Sequence, residues 1–393
     1  MEQLKDDHGL SIQSIRQTYE KYKSRRTYIM NSRERLLTAL DGKCPDRLPA
    51  TTHHVMEYFL NTYMNGCDNQ QFFSQMGLDP IFWVDDYQYT EEQKENWRIE
   101  QEVLPDQKYH TVRYQIHTPG KTLTTVLQSN QYTTWVSEHL LKEKKDIDIL
   151  AKYMPSPSAG RDTVNAGADS HPDCLIRGSI PSFDLFGQPG CWQDLACIYG
   201  IQDLIMETFD DPEWVEEALR ILQKRKLDYI ATLDGCRYDI LELGGGDAST
   251  TVISPAIFDE FVAPFDTPII QAVQKKGIRV VYHTCGGMMP ILENIADMGP
   301  NAMETFTPPD MGGDADLAEA KRRIGSRVCM IGGFDQFHYF TGCTPEDTRK
   351  KVRECFAAAG EGGGFILSPS DHFFDASPEL IRAFADEAAK CVY

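Results

Sequence analysis

The stretch VVYHTCGG (280–287) carries a run of apolar residues into a histidine and a cysteine one residue apart. In an extended strand, residues i and i+2 face the same side, so His283 and Cys285 can reach one ion together. An imidazole nitrogen with a thiolate sulfur suits zinc, which takes four ligands and keeps one position open in catalytic sites. The same pair also suits a satisfied core histidine beside a structural cysteine. Other groups with ligand or acid–base chemistry close further short apolar runs: His53, His54, Asp85, Asp86, Asp247, Glu304, Asp335, Asp371 and His372.

Each of these has an expected role. Glu304 suits a proton carrier or an exchangeable zinc ligand, or a carboxylate capping the next turn. Asp85, or its neighbour Asp86, suits a catalytic proton donor. Asp247 follows three glycines that let a backbone come close to a substrate. Asp335 is expected to position a loop or bind substrate. Adjacent histidines in a strand point to opposite faces, so at most one of His53 and His54 is expected to line the pocket, with His53 the choice. Trp83, Tyr87 and Tyr89 could wall an aryl substrate or simply pack the core.

The elements that must position these groups alternate along the chain. β-rich runs at 47–53, 79–86, 174–180, 239–247, 278–287, 301–307, 328–335 and 364–372 are separated by helical patterns. NSRERLLTAL has Asn31 and Glu34 in capping-box spacing. The segment 211–233 opens on an acidic turn with Pro212, and 344–360 opens on Thr344 and Pro345. The segment 254–277 contains Pro264 and Pro268 and is expected to kink. Strands alternating with helices imply a parallel sheet, and about eight of them imply a closed (β/α)8 barrel, with the listed groups at one mouth. No G-x-G-x-x-G turn follows the first strand, which lowers the doubly wound alternative.

Two segments depart from the alternation. Residues 97–136 read as an antiparallel β-meander inserted after the second strand, with a Pro-Gly turn at 119–120. Residues 9–30 read as an amphipathic helix, so the chain divides into a helical extension (1–30) and the barrel (31–393).

The order of motifs resembles the uroporphyrinogen decarboxylase superfamily over most of the chain. NSRERLLTALDGKCPDRLP (31–49) is similar to its opening signature. LGGGDASTTVISPAIFDEFVAPF (243–265), HTCGGMMPILENIADMGPNAMET (283–305), GGFDQFHYFTGCTPEDTRKKV (332–352) and SPSDHFFDASPELIRAF (368–384) resemble its later segments. The superfamily fold is a (β/α)8 barrel. One branch decarboxylates uroporphyrinogen; another comprises zinc-dependent methyltransferases that exchange methyl groups with corrinoid proteins.

The resemblance to the methyltransferase branch implies zinc on His283 and Cys285. That branch takes its third ligand from a cysteine in a segment similar to S-P-G-C. Here the segment reads Ser368-Pro369-Ser370-Asp371, so the third ligand falls on Asp371, with His372 as its rival. This departure speaks against thiol activation and leaves methyl ethers and amines as substrates beside thiols. The branch's cobalamin would come from a partner corrinoid protein, since the D-x-H-x-x-G motif of such proteins is absent. The decarboxylase branch carries an arginine-bearing M-R-Q-A-G-R-Y after the first strand; here no arginine falls between Arg47 and Arg98. A substrate with many carboxylates would lack cationic partners there.

Bulk properties bound the function further. The net charge of −20 disfavours a phosphate backbone as partner. No apolar stretch approaches the ~20 residues needed to span a bilayer, and no secretory leader is read at the N-terminus. Eleven scattered cysteines, an odd number, fit a reducing cytoplasm. The expectation is therefore a cytoplasmic zinc-dependent methyltransferase with a small methylated substrate, possible as a homodimer. A metal-free decarboxylase or lyase and a non-catalytic ligand-binding barrel are the alternatives.

Overall fold

The computed structural model describes residues 29–393 apart from 184 and 186. The helix expected over 9–30 lies outside them, except for Ile29 and Met30, which are not helical.

The strands run in chain order as β1 (Ile81–Trp83), β2 (Tyr87–Gln88), β3 (Arg98–Leu104), β4 (His110–His117), β5 (Thr122–Ser129), β6 (Thr134–Glu138) and β7 (Ser158–Ala159). They continue as β8 (Leu175–Ser179), β9 (Ile240–Gly244), β10 (Arg279–His283), β11 (Ala302–Thr305), β12 (Cys329–Phe334) and β13 (Phe365–Pro369). Seven of them form one sheet in the order β1-β8-β9-β10-β11-β12-β13. Every pairing in it is parallel, and helices connect its strands, which is the (β/α)8 architecture.

The eighth position corrects the sequence reading. Residues 47–53 do not form a strand; Ala50 makes a single parallel bridge to Leu367. The Thr51 amide donates to Leu367 and the Asp79 amide donates to Ala50, so this short segment still joins the two edges of the sheet. Buried charges fix it there. Asp79 accepts from Arg35 at 2.6 Å, from Arg47 at 3.1 Å and from the Ala50 amide at 3.0 Å. A segment held by a side chain needs no long ladder of its own.

Local signals in the sequence account for the helices. The helix Ser32–Leu40 starts on a complete Asn31/Glu34 capping box. The helix Pro212–Ala231 starts on Asp211 with proline in its first turn. Pro345–Ala359 starts on a Thr344/Asp347 capping box. The expected kink near Pro264 takes the form of a π-helical turn, Phe258–Val262, followed by the α-helix Ala263–Lys275.

The insertion is the expected meander, a four-stranded antiparallel sheet of β3, β4, β5 and β6 that extends to Glu138. Ile116 and Leu123 tie it to the main core. The barrel interior is packed, with a void of only about 10 Å³ among residues such as Ile81, Leu175, Ile240 and Ile366. Among the described residues no helix is long and apolar enough to cross a membrane. All eleven cysteines are free thiols.

Candidate metal and active site

Neighbouring parallel strands bring His283 and Glu304 face to face: the two residues are register partners on β10 and β11. Glu304 Oε1 lies 2.9 Å from His283 Nδ1. The other ring nitrogen, Nε2, lies 3.1 Å from Cys285 Sγ. Zinc–nitrogen and zinc–sulfur bonds of ordinary length at a tetrahedral angle place such atoms ~3.6 Å apart. The pair is thus about half an ångström short of a chelating separation. His283 is buried and Cys285 half-buried at the strand's end.

Two residues that the sequence reading missed complete the centre. Arg177 on β8 and Glu242 on β9 are both buried. The Arg177 guanidinium donates to Glu242 at 2.6 Å and to Glu304 at 3.0 Å, with a second, shorter bond to Glu304. Glu242 in turn lies 3.0 Å from His53 Nε2. The signal was present: a single charge inside each of two apolar strands, LIRGS and ILELG, which is costly unless paired. Ligand atoms of His53, Glu242, His283 and Glu304 all fall within 4.8 Å of one another.

The electrostatics follow from this packing. Burial disfavours the His283 imidazolium, but the Cys285 sulfur and the Glu304 carboxylate outweigh it and hold its pKa well above the ordinary value. Burial likewise opposes the charge of Glu304, yet Arg177, His53 and His283 hold it well below the carboxylate range. His53 is pushed well below its ordinary value by burial, and His54 is lowered to about 3 for the same reason.

Histidines crowd the mouth. The rings of His53 and His283 stack at 4.9 Å, and His53 lies 5.8 Å from His372. His54 lies 5.6 Å from His372 and stacks on Trp83 at 4.3 Å. The expectation that only one of His53 and His54 lines the pocket is therefore corrected. The two sit in a loop, not a strand, and both border a cavity of about 390 Å³ with Trp83. Trp83 also donates its indole N–H to the His53 carbonyl and lies under the Arg177 guanidinium at 4.6 Å.

The two residues proposed for the third ligand differ in environment. Asp371 is exposed, and its carboxylate accepts the His372 amide at 2.7 Å. His372 is half-buried, and its Nδ1 is buried with no hydrogen-bond partner among the described residues.

The other sequence-selected residues stand apart from this centre. Asp85 accepts the Ser179 amide at 2.8 Å and lies 3.4 Å from the Tyr87 hydroxyl. It keeps an exposed edge, yet the protein packed around it pushes its pKa up to about 6. A cavity of about 620 Å³ opens beside it, walled by Tyr87, Tyr89, Trp97 and Phe183. Asp247 is held in a reciprocal pair with the Gln193 amide group, at 2.8 Å in both directions. Asp335 caps the short helix Gln336–Tyr339 and lies 2.7 Å from His338 Nδ1, so both its oxygens are engaged.

Comparisons with known proteins agree with this architecture. The sequence model of the uroporphyrinogen decarboxylase family, URO-D, matches residues 187–391. A uroporphyrinogen decarboxylase of Psychromonas ingrahamii is 27% identical over 256 residues, covering 62% of this chain and 67% of that protein. One from Neisseria meningitidis serogroup C is 31% identical over 122 residues, 30% of this chain and 32% of that protein. Among solved structures, a methyltransferase from Methanosarcina mazei superposes with a TM-score of 0.62 at 16% identity, covering 92% of this chain and 99% of that one. That last likeness concerns the fold.

Proposed function

Because the chain belongs to the uroporphyrinogen decarboxylase family, we propose that it is a zinc-dependent methyltransferase of that family's barrel, exchanging a methyl group between a small methylated substrate and a corrinoid protein. The observation that carries this reading is the His283 Nε2–Cys285 Sγ pair, 3.1 Å apart at a strand's end beside a histidine-lined mouth. The donor pair fits zinc, one nitrogen and one sulfur being adjacent; His372, whose Nδ1 is buried without a partner among the described residues, is proposed as a further donor. When bound, zinc supplies Lewis-acid stabilisation of the heteroatom that gives up or receives the methyl group.

The chain's own residues do the rest. Glu304 accepts from His283 Nδ1 and so leaves Nε2 as the nitrogen that faces Cys285. Arg177 balances the two glutamates inside the barrel. Trp83, His53 and His54 wall one side of the mouth. The substrate is a methyl ether, amine or thiol, and the cobalamin is brought by a partner protein docking at the mouth.

The test is elemental analysis of wild type, His283→Ala and Cys285→Ser purified side by side, together with methyl transfer from a panel of ethers, amines and thiols to cob(I)alamin. Near-stoichiometric zinc that both variants lose, with transfer from at least one class, is the expected result. A wild type that takes up no zinc under reducing conditions would sink the proposal.

A second reading has its own support. The curated relatives are decarboxylases, and Asp85, raised to about 6, borders the aromatic cavity. A carboxyl with that pKa can give and take a proton near neutrality. A metal-free decarboxylase or lyase centred on Asp85 predicts turnover that survives chelation and Cys285→Ser but not Asp85→Asn.

A further inference from the structure

Arg177 is fully enclosed, and its guanidinium is the hub of two arms, which meet again where His53 Nε2 lies 3.5 Å from Glu304 Oε1. One arm runs to Glu304 and from there to His283 Nδ1, at 3.0 and 2.9 Å. The other runs to Glu242 and on to His53 Nε2, at 2.6 and 3.0 Å. The two imidazoles at the ends of the arms stack on each other with centroids 4.9 Å apart. The guanidinium is itself held from the side by the Trp83 ring, 4.6 Å away.

Stability alone is a poor reason for this arrangement. Desolvation offsets most of the attraction in a buried ion pair, and apolar residues of equal volume commonly do as well. A planar fork offers something an apolar side chain does not, which is direction. Here it grips both oxygens of Glu304, which fixes that carboxylate's plane, and holds one oxygen of Glu242. A carboxylate can only accept, so the ring nitrogen it faces carries the hydrogen. For His283 that nitrogen is Nδ1, and the nitrogen left for a metal is the one beside Cys285.

We propose that Arg177 is a positioning residue for the zinc pair: through Glu304 it sets the tautomer and the ring plane of His283. The Glu242–His53 arm sets the His53 ring against that of His283, with centroids 4.9 Å apart. The inference rests on the zinc-centred reading. It assigns the chain's specificity for a correctly oriented His283 to a residue 106 positions earlier in sequence, which touches neither candidate ligand by hydrogen bond.

The experiment compares wild type, Arg177→Met, Arg177→Lys and Glu242→Gln. Zinc affinity is measured by chelator competition, and the visible spectrum of the cobalt(II)-substituted protein reports ligand geometry. Arg177→Met is expected to weaken zinc about 10–100-fold and to shift the cobalt bands, as loss of an outer partner does elsewhere. Glu242→Gln keeps the Arg177–Glu304 contacts and is expected to weaken zinc less than Arg177→Met does. Wild-type affinity and spectrum in Arg177→Met would overturn the inference, as would a loss in Glu242→Gln equal to that in Arg177→Met. Should Arg177→Met fail to fold, Arg177→Lys decides. It keeps the charge without the fork and is expected to lose about tenfold; unchanged affinity there overturns the inference. A wild type that binds neither zinc nor cobalt removes the zinc-centred reading itself, and the positioning role with it. Zinc held equally by wild type and the Arg177 variants removes only the latter.

Discussion

Glu304 Oε1 lies 2.9 Å from His283 Nδ1, on register-paired positions of adjacent parallel strands. The contact orients a strand-end histidine whose Nε2 faces Cys285 Sγ. Replacing Glu304 by Gln keeps the shape and removes the charge, so zinc is expected to bind about 10–100-fold more weakly while the fold persists. Glu304→Ala is expected to be worse on both counts, since it also strands part of the Arg177 guanidinium. Chelator competition and thermal melts on the two variants separate these effects. Equal zinc affinity in wild type and Glu304→Gln would count against an orienting role.

Gly244 stands opposite His283 on the neighbouring strand, with φ of +107°. A Cβ placed there would lie 2.3 Å from the His283 carbonyl oxygen. Gly244→Ala must therefore move the strand that carries the candidate ligand. The expected cost is about 2 kcal/mol or more, from backbone strain plus overlap. Reduced zinc per chain should accompany the lower melting temperature. Full zinc content at a lowered melting temperature would show that the strand end tolerates the shift.

Much of this arrangement was legible in the sequence, for reasons that are local. The capping boxes at Asn31 and Thr344 and the π-turn just before Pro264 rest on residues a few positions apart. His283 and Cys285 are two residues apart, and a ring nitrogen and the sulfur lie 3.1 Å from each other. What local pattern could not supply was the partner of a buried charge. Arg177 and Glu242 lie 65 positions apart, and only the parallel register of β8 and β9 brings them together. Residues 47–53 failed as a strand because Asp79 holds the Ala50 amide with a side chain. The His53/His54 alternation failed with it, since alternation has meaning only in a regular strand.

Lys226 is buried against Asp194 at 2.5 Å and donates to the Pro181 carbonyl at 2.7 Å. Asp194 in turn accepts the Phe183 amide at 2.8 Å. The pair thus anchors the turn that supplies Pro181 and Phe183 to the cavity beside Asp85. Lys226→Met leaves a buried, uncompensated carboxylate and is expected to cost about 3–5 kcal/mol. Denaturant unfolding measures this directly. Restoration by Lys226→Met with Asp194→Asn would identify the stranded charge as the cause; equal instability of the double variant would place it in packing instead.

Asp266 is buried and accepts the Cys191 amide and the Tyr282 hydroxyl, each at 3.2 Å. Burial pushes its pKa up to about 6. The fold therefore favours the protonated acid. Its contribution to stability is complete below the unfolded value of about 3.9 and is lost as pH rises through about 6. Asp266→Asn, which mimics the protonated form, is expected to exceed wild type in stability near pH 8 by on the order of 2 kcal/mol, a gap that closes toward pH 4. Unfolding midpoints across that range test the sign. A gap independent of pH would show that folding leaves the carboxyl's pKa unshifted.

The third ligand of the zinc pair can be argued by elimination. Zinc needs at least one donor beyond His283 and Cys285 to make a catalytic site. Glu304 is engaged by Arg177 and by His283 Nδ1, and His53 Nε2 is engaged by Glu242. Asp371 is exposed and accepts the amide of the next residue. Among the described residues His372 Nδ1 is buried without a partner, a costly state for a polar atom unless something binds it. His372→Ala is therefore expected to lose most bound zinc, and Asp371→Ala to keep it. X-ray absorption on the wild type should then resolve one sulfur, with nitrogen or oxygen for the remaining ligands. Zinc lost from Asp371→Ala but kept by His372→Ala would assign the carboxylate instead, and a second sulfur in the spectrum would overturn the elimination altogether.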